Sequence, residues 1–182
     1  VEQRRERPSS SGGSGGVNIE FSKRADRPAN GLVYLDNPQV FYGRRSINTN
    51  TKPMIEVTDD DTEICCWGEV FGYETRKINT RRGERVIVKF SFSDHTNSLN
   101  ASMFMEPEKM GSIKYVEDGA LILVNGTYKF DDFKKEFVVE PRSIALLQKY
   151  VETDNHEGLK RVELHCHTNM SAKDAVSSGA DI

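Results

Sequence analysis

The chain has 182 residues, of which 36% are hydrophobic and 29% charged, and its net charge is -3. This length suits one ordinary domain with flanking segments, and the low apolar share predicts a packed core in only part of the chain. No apolar run approaches the roughly 18 residues that cross a bilayer, and no secretory signal is present, so we expect no membrane partner. The first residue is Val1 rather than Met, from which we expect an internal fragment of a longer protein.

The first 53 residues are predicted to be a flexible linker and N-terminal segment. Residues 1–16 are polar and then rich in serine and glycine, which is the composition of a flexible linker. Residues 17–53 hold short apolar islands between proline and asparagine breakers. Because these islands show no sustained period, we expect the segment to become ordered only on contact.

Residues 54–148 are predicted to form a domain of five strands. Apolar residues recur with a period of two in the first three strands, and residues 81–83 and 94–97 have turn chemistry. Pro107 suits the first turn of a helix, so we expect a short helix over residues 106–116. Gly126 interrupts the fourth strand at a point where a barrel strand can bend. The predicted strands span residues 64–71, 86–92, 99–103, 121–130 and 137–147.

Three strands, a helix and two further strands follow one another in the order of the OB fold. The predicted fold class is therefore mainly β, a five-stranded Greek-key OB barrel with one short helix and a disordered N-terminal linker. Strands at this spacing also suit a sandwich, but the position of the helix and the glycine early in the first strand favour the barrel.

Of the three cysteines, Cys65 and Cys66 are not expected to form a simple disulfide framework together. Cys65 and Cys66 are adjacent in a predicted strand, so their side chains point to opposite faces. Reduced thiols in a cytoplasmic protein are the interpretation that this pattern favours.

The segment after the barrel contains a candidate metal site. Residues 149–160 are predicted to be a charged linker, and a strand follows that carries His165 and His167. Residues i and i+2 of a strand share a face, so two imidazoles there suit a metal ion, with Asp174 as an oxygen ligand. The spacing alone leaves two partly exposed polar histidines equally open, and three ligands leave a metal site incomplete.

The run RVELHCHTNMSAKDAV resembles the opening motif of the PHP domain in PolC-type bacterial DNA polymerases. The positions that match this motif are His165, His167, Thr168, Met170, Ser171 and Asp174. The preceding OB domain is similar to that family at residues 67–71 and 89–98, where His95 replaces the usual tyrosine. The resemblance covers roughly residues 40–180.

This resemblance implies a fragment of a PolC-type DNA polymerase III α subunit, with a truncated PHP strand in residues 161–182. It implies a parent that is a replicative DNA-directed DNA polymerase with a 3'–5' exonuclease, that uses Mg²⁺, and whose catalytic residues lie outside this chain. His165, His167 and Asp174 would belong to a PHP metal cluster that holds Zn²⁺ or Mn²⁺ when complete, and no cofactor is expected in the fragment. The implied partners are single-stranded or primer–template DNA and other replisome subunits.

The OB fold also predicts a nucleic-acid surface, since OB barrels combine a basic groove with aromatic platforms for bases. We place the basic residues 76–85 in the loop between the first two strands, while Lys129, Lys134 and Lys135 flank the loop between the last two. The predicted nucleic-acid-binding residues are Trp67, Tyr73, Arg76, Lys77, Arg81, Arg82 and Lys89.

Other interpretations of these residues stay open. A basic hairpin is often only solvated, and aromatic residues of a small barrel are mostly core, which we expect for Phe90, Phe92 and Phe137. The OB barrel as a whole is alternatively a protein-packing module without DNA contact. The chain is also compatible with part of a free-standing PHP metal-dependent phosphoesterase. The OB domain directly upstream argues against this alternative, because such enzymes do not usually carry one there.

Overall fold

The computed structural model describes residues 19–24, 26–81, 83–132 and 134–152. By its internal contacts the chain divides into two units, Val1–Val151 and Glu152–Ile182, and all the elements below belong to the first. Across the described ranges, no helix is both long and apolar enough to cross a membrane. The elements are β1 (Val33–Tyr42), a 3₁₀ turn (Met54–Glu56), β2 (Glu63–Thr80), β3 (Gly83–Ser93), β4 (Ser98–Met105), a second 3₁₀ segment (Pro107–Ile113), β5 (Leu121–Asp131) and β6 (Glu136–Lys149).

Five of the strands close into a ring. β2 pairs with β3, β3 with β4, β5 with β6 and β2 with β5, all antiparallel. The ring is completed by a short parallel pairing of β4 with β6 at Ala101 and Val139. This cyclic order, with a helical segment between the third and fourth strands of the ring, is that of an OB-like fold and confirms the predicted fold class.

The core follows from the period of two in the ring strands. Phe90 and Phe92 on β3 are 2% and 0% exposed and lie in the main core, as predicted. Cys66 belongs to the same core, whereas Cys65 belongs to a second cluster under β1, which confirms that their side chains point to opposite faces. Burial raises the pKa of Cys65 to about 11 and that of Cys66 to about 12, so both remain thiols at neutral pH.

Strand β1 was not among the predicted strands. It consists of the two apolar islands of the N-terminal segment with Pro38 between them, and it pairs with the C-terminal half of β6. Register shifts between Tyr34 and Gln39 and between Val40 and Tyr42 break its alternation, which is why no period is visible in the sequence. The predicted domain boundaries stay predictions, although regular structure begins inside the first predicted segment.

The predicted helix over residues 106–116 is a shorter 3₁₀ segment, with Pro107 in its first turn as expected. Gly111 and Ser112 have low helix propensity, and the Ser112 hydroxyl donates to the Lys109 carbonyl at 2.7 Å. Ile113, the last residue of the segment, and Val116, which follows it, are both buried, and the Val116 N–H donates to the Ile113 carbonyl at 2.9 Å. This three-residue hydrogen bond continues the tighter turn beyond the end of the segment.

Asp94 ties the β3–β4 turn to the first 3₁₀ turn. Its carboxylate is 7% exposed and accepts hydrogen bonds from the backbone N–H groups of Met54 (2.8 Å), Thr96 (2.9 Å) and Asn97 (3.2 Å), and from the Thr96 hydroxyl (2.6 Å). Burial raises the pKa of the Asp94 carboxyl, but these hydrogen bonds lower it further than burial raises it, so that the pKa lies below 3.8.

Replacing Asp94 with asparagine is expected to lower the free energy of unfolding by about 1–3 kcal/mol at neutral pH, because backbone donors lose a charged acceptor. Since the native pKa is lowered, the carboxylate contributes stability above its ordinary pKa of 3.8, and this is lost as the pH falls through the native pKa. Urea unfolding at several pH values should show that the difference in the free energy of unfolding between the wild type and Asp94→Asn becomes smaller as the pH is lowered. Asp60→Asn, at an exposed carboxylate, is the control; an Asp94→Asn protein as stable as the wild type at neutral pH would contradict the prediction.

Candidate nucleic-acid interface

The outward face of β2, β3 and β4 carries a continuous set of side chains. The strand register places Arg76 opposite Ile87, and Ile87 in turn opposite Phe104. These three residues form one cross-strand row, and the next row on the same face consists of Glu74, Lys89 and Ser102. Because alternate residues of a strand share a face, the side chains of both rows project away from the core on the same side of the barrel.

The β5–β6 hairpin forms a second wall beside this face. Its turn is closed by Lys135, which has a positive φ of 59°. Between the hairpin and the outward face lies an open groove of about 620 Å³. The groove is lined from the first side by Arg76, Ile87, Lys89, Ser102 and Phe104, and from the hairpin by Lys129, Phe130, Asp131, Asp132, Lys134, Val138 and Glu140.

Two of the cations in this groove differ from the others in their ion pairing. Among the described residues, no carboxylate lies within ion-pair distance of the Arg76 guanidinium or the Lys89 ammonium. By contrast, Lys129 is paired with Glu140, and the Lys134 ammonium lies 3.8 Å from a Glu136 oxygen. Arg76 and Lys89 are therefore the charges most available for an anionic ligand.

Two exposed aromatic side chains also line the groove, and neither was among the predicted nucleic-acid-binding residues. Phe104 is 63% exposed and Phe130 is 46% exposed, and the Phe130 ring packs edge-on against Phe137 at 5.3 Å. The signal for Phe104 was present, since it alternates with the buried residues Met103 and Met105 at the end of β4. Exposed aromatic faces are the groups on which unpaired bases stack.

The basic residues 76–85 do not form the predicted loop. β2 and β3 stay paired as far as Thr80 and Gly83, so only residues 81–82 connect them. Arg76 and Lys77 are thus neighbours within a strand and point to opposite faces. Arg76 lines the groove, whereas the Lys77 ammonium lies 3.3 Å from Glu84 on the other face of the hairpin.

The turn itself contributes less than predicted to the groove. Arg81 is exposed at the hairpin tip and is not among the residues that line the groove. Arg82 lies outside the described residues. The two strands of the hairpin therefore position Arg76 over the groove, while the tip extends past it.

The two predicted aromatic binding residues lie away from the groove. Trp67 is half-buried and packs against the second cluster, opposite Leu123 of β5. Tyr73 packs against the main core, and burial raises the pKa of its hydroxyl. Of the predicted nucleic-acid-binding residues, the structure brings together Arg76 and Lys89 in the groove.

The predicted metal ligands His165, His167 and Asp174 lie outside the described residues. Within the part of the chain that the structure describes, no group of three or more His, Cys, Asp or Glu side chains is arranged to hold a metal ion.

The fold and groove together define an OB-like barrel with a charged and aromatic cleft, and comparisons with known proteins identify its relatives. DNA polymerase III PolC-type of Lacticaseibacillus paracasei is 31% identical over 151 residues, which is 82% of this chain and 10% of that protein. The Streptococcus sanguinis PolC-type enzyme is 33% identical over 71% of this chain and 9% of its own length. The Bacillus subtilis enzyme is 30% identical over 87% of this chain and 11% of its own.

The chain is therefore homologous to a segment of the PolC-type DNA polymerase III family, and it spans about a tenth of the length of these relatives. No protein-family model matches it. Among solved structures, RecG bound to a three-way DNA junction aligns over 49% of this chain and 11% of that chain, with 15% identity and a TM-score of 0.35. That similarity is too low to support an argument about function.

Proposed function

We propose that this chain is the OB-fold nucleic-acid-binding module of a replicative PolC-type DNA polymerase, and that its groove holds single-stranded template DNA. The observation that carries the proposal is that Arg76 and Lys89, which form no ion pair with any described residue, line the same open groove as the exposed Phe104. A single strand presents phosphates to cations and base faces to aromatic rings, and both kinds of contact are independent of sequence.

The proposal extends to the whole protein through its relatives, which are DNA polymerases III. On this view the whole protein is a cytoplasmic DNA-directed DNA polymerase with a 3'–5' exonuclease, and it requires Mg²⁺. Its partners are primer–template DNA and other replisome subunits. The module described here binds and orients DNA, and we assign no described residue a catalytic role. His165, His167 and Asp174 would contribute to a PHP site for Zn²⁺ or Mn²⁺ together with ligands from elsewhere in that protein.

Substituting Lys89 with alanine is expected to weaken binding of a labelled single-stranded oligonucleotide and to flatten the log–log dependence of affinity on salt by about 0.7. The reason is that one phosphate contact and its counterion release are lost. Fluorescence anisotropy titrations at a low and a moderate salt concentration measure both quantities, and Arg76→Ala should behave in the same way.

Lys77→Ala is the matched control, because Lys77 is also a lysine of the β2–β3 hairpin but lies on the face away from the groove. It should leave the salt dependence close to that of the wild type. If Lys77→Ala weakened binding as much as Lys89→Ala, the bound strand would not lie in the groove. If the wild-type chain bound no oligonucleotide at low salt, single-strand binding would be excluded.

A protein-docking role for the same groove is a second candidate, favoured by its apolar lining and its carboxylates. Half-buried Ile87 and exposed Phe104 and Phe130 provide an apolar strip, and Asp131 and Asp132 also line the groove. Absence of oligonucleotide binding, combined with burial of this strip against another domain of the whole protein, would support docking.

A further inference from the structure

The end of the β2–β3 hairpin leaves the barrel as a two-stranded ribbon. β4 pairs with β3 only as far as Val86, which lies opposite Met105. Beyond that point, in the part of the chain that the structure describes, β2 and β3 pair only with each other, and we call residues 78–85 the ribbon. Its paired residues extend it by roughly 10 Å from the barrel. Since a lone hairpin is only marginally stable in water, such a ribbon is a candidate for contact with a partner.

Two side-chain contacts hold the ribbon in its hairpin form. The Thr80 hydroxyl donates to the Gly83 carbonyl at 2.8 Å across the turn. The Lys77 ammonium lies 3.3 Å from a Glu84 oxygen on the opposite strand. Because these contacts form within the protein, a ligand that binds the ribbon does not have to order it first, which lowers the entropic cost of binding.

The ribbon continues the basic face of the groove. Five basic residues and one acidic residue lie in residues 76–85, whereas the whole chain has a net charge of -3. By the register of the hairpin, Arg85 lies on the same face as Arg76, and its guanidinium is 3.3 Å from Glu106. Arg81 is exposed at the tip and forms no ion pair with any described residue. The ribbon therefore presents cationic charge beyond the edge of the groove.

The composition of the ribbon fits double-stranded DNA better than a single strand or a protein. No aromatic residue occurs between Tyr73 and Phe90, so the ribbon has no platform on which an unpaired base could stack. Ile78 is its one apolar residue, whereas the core of a protein interface is mainly apolar and aromatic. A duplex offers phosphates without exposed base faces, and its major groove, about 12 Å wide, admits a two-stranded ribbon.

We infer that the ribbon binds the double-stranded DNA next to the single strand held in the groove, with the Arg81 guanidinium at a backbone phosphate. This inference rests on the proposed single-strand binding and adds to it a second contact surface and a second form of DNA. The ligand of the whole module is then a junction of duplex and single strand. Phosphate contacts carry no direct sequence information, so the duplex sequence should not affect affinity.

The test measures binding of the full chain to four labelled DNAs by fluorescence anisotropy at several salt concentrations. Two are single strands of about 8 and about 16 nucleotides, which span the site sizes of OB folds. The others are a blunt duplex of about 12 base pairs, just over one helical turn, and the same duplex with the shorter strand attached as a tail of either polarity. We expect the tailed duplex to bind most tightly, with a log–log salt dependence steeper than that of its tail by about 0.9 for each duplex phosphate contacted.

Arg81→Ala should reduce the salt dependence for the tailed duplex by about 0.9 and leave binding of the short single strand unchanged, because Arg81 does not line the groove. Arg81→Lys keeps the charge and should keep most of the wild-type slope. Arg45→Ala is the matched control, since Arg45 is an exposed arginine that belongs neither to the groove nor to the ribbon. It should not change binding of any of the four DNAs.

A tailed duplex that binds no more tightly than its tail would overturn the duplex contact and leave single-strand binding intact. An equal gain with the longer single strand would also overturn it, because the ribbon would then follow unpaired DNA. If Arg81→Ala kept the full advantage of the tailed duplex, the contact would not belong to the ribbon. Binding of the blunt duplex without binding of either single strand would overturn the proposed function, whereas its loss in Arg81→Ala would support the ribbon contact.

Discussion

Gly126→Ala is expected to destabilise the barrel by about 3 kcal/mol, at the upper end of the usual cost of overpacking. A Cβ atom at this position would lie 2.4 Å from the Glu140 carbonyl oxygen and 3.1 Å from Cα of Pro141. Both atoms belong to the backbone of β6, so neither can rotate away. The clash between the new methyl group and β6 can be relieved only if β5 and β6 move apart. The pairing register of the two strands shifts at this point, between Asn125 and Gly126.

The matched control for this prediction is Gly111→Ala, since a Cβ atom there meets nothing within 4 Å. It introduces the same methyl group and should change the free energy of unfolding by no more than about 0.5 kcal/mol, as surface substitutions do. Urea unfolding followed by circular dichroism measures both variants. A Gly126→Ala protein that unfolds at the control's midpoint would show that β5 and β6 do not approach so closely.

Strands β3 and β4 were predictable because their residues obey a period of two and each strand buries one face. β3 shows this most clearly, with Val86, Val88, Phe90 and Phe92 buried and their neighbours outward. Gly126 was predicted as a bend, and it lies where β5 and β6 come into close backbone contact. Local pattern was sufficient for β3 because alternation along the strand by itself indicates which side chains face the core.

The parts that were not predicted depend on contacts between distant residues. β1 pairs with β6, a strand more than a hundred residues further along the chain, and Pro38 and two register shifts remove its period. The extension of β2 to Thr80 is likewise decided by its pairing with β3 rather than by its own polar sequence. A ladder of backbone hydrogen bonds can hold polar residues in a strand that their composition does not indicate.

The sequence indicated the position of the groove on the barrel better than it indicated the residues that line the groove. Placing Lys89 needed only the fold and the strand phase, whereas placing Arg76 within a strand and excluding Lys77 needed the pairing of β2 with β3. Phe104 was missed because the predicted third strand ended at Met103, one residue before it. Trp67 was selected as an aromatic on the outer face, but β1 covers that part of the barrel and the residue packs there instead.

Phe104→Ala is expected to weaken binding of single-stranded DNA by about 1–3 kcal/mol, or roughly 5- to 150-fold, since this is the range for a lost base–aromatic stack. Phe104 is 63% exposed, so the substitution removes little buried surface and should leave the free energy of unfolding nearly unchanged. Its salt dependence should match that of the wild type, because no phosphate contact is lost. This combination distinguishes stacking from the charge effect expected for Lys89→Ala.

Phe71→Ala is the control for this substitution, as Phe71 is 47% exposed on β2 but does not line the groove. Loss of a general apolar surface would affect both variants similarly, whereas stacking in the groove requires a loss confined to Phe104→Ala. If Phe104→Ala bound single strands as tightly as the wild type while Lys89→Ala did not, the groove would hold the backbone of the strand and its bases would face solvent. In that case the exposed rings of Phe104 and Phe130 would be explained by protein docking, since a strand bound through phosphates alone leaves that apolar surface uncovered.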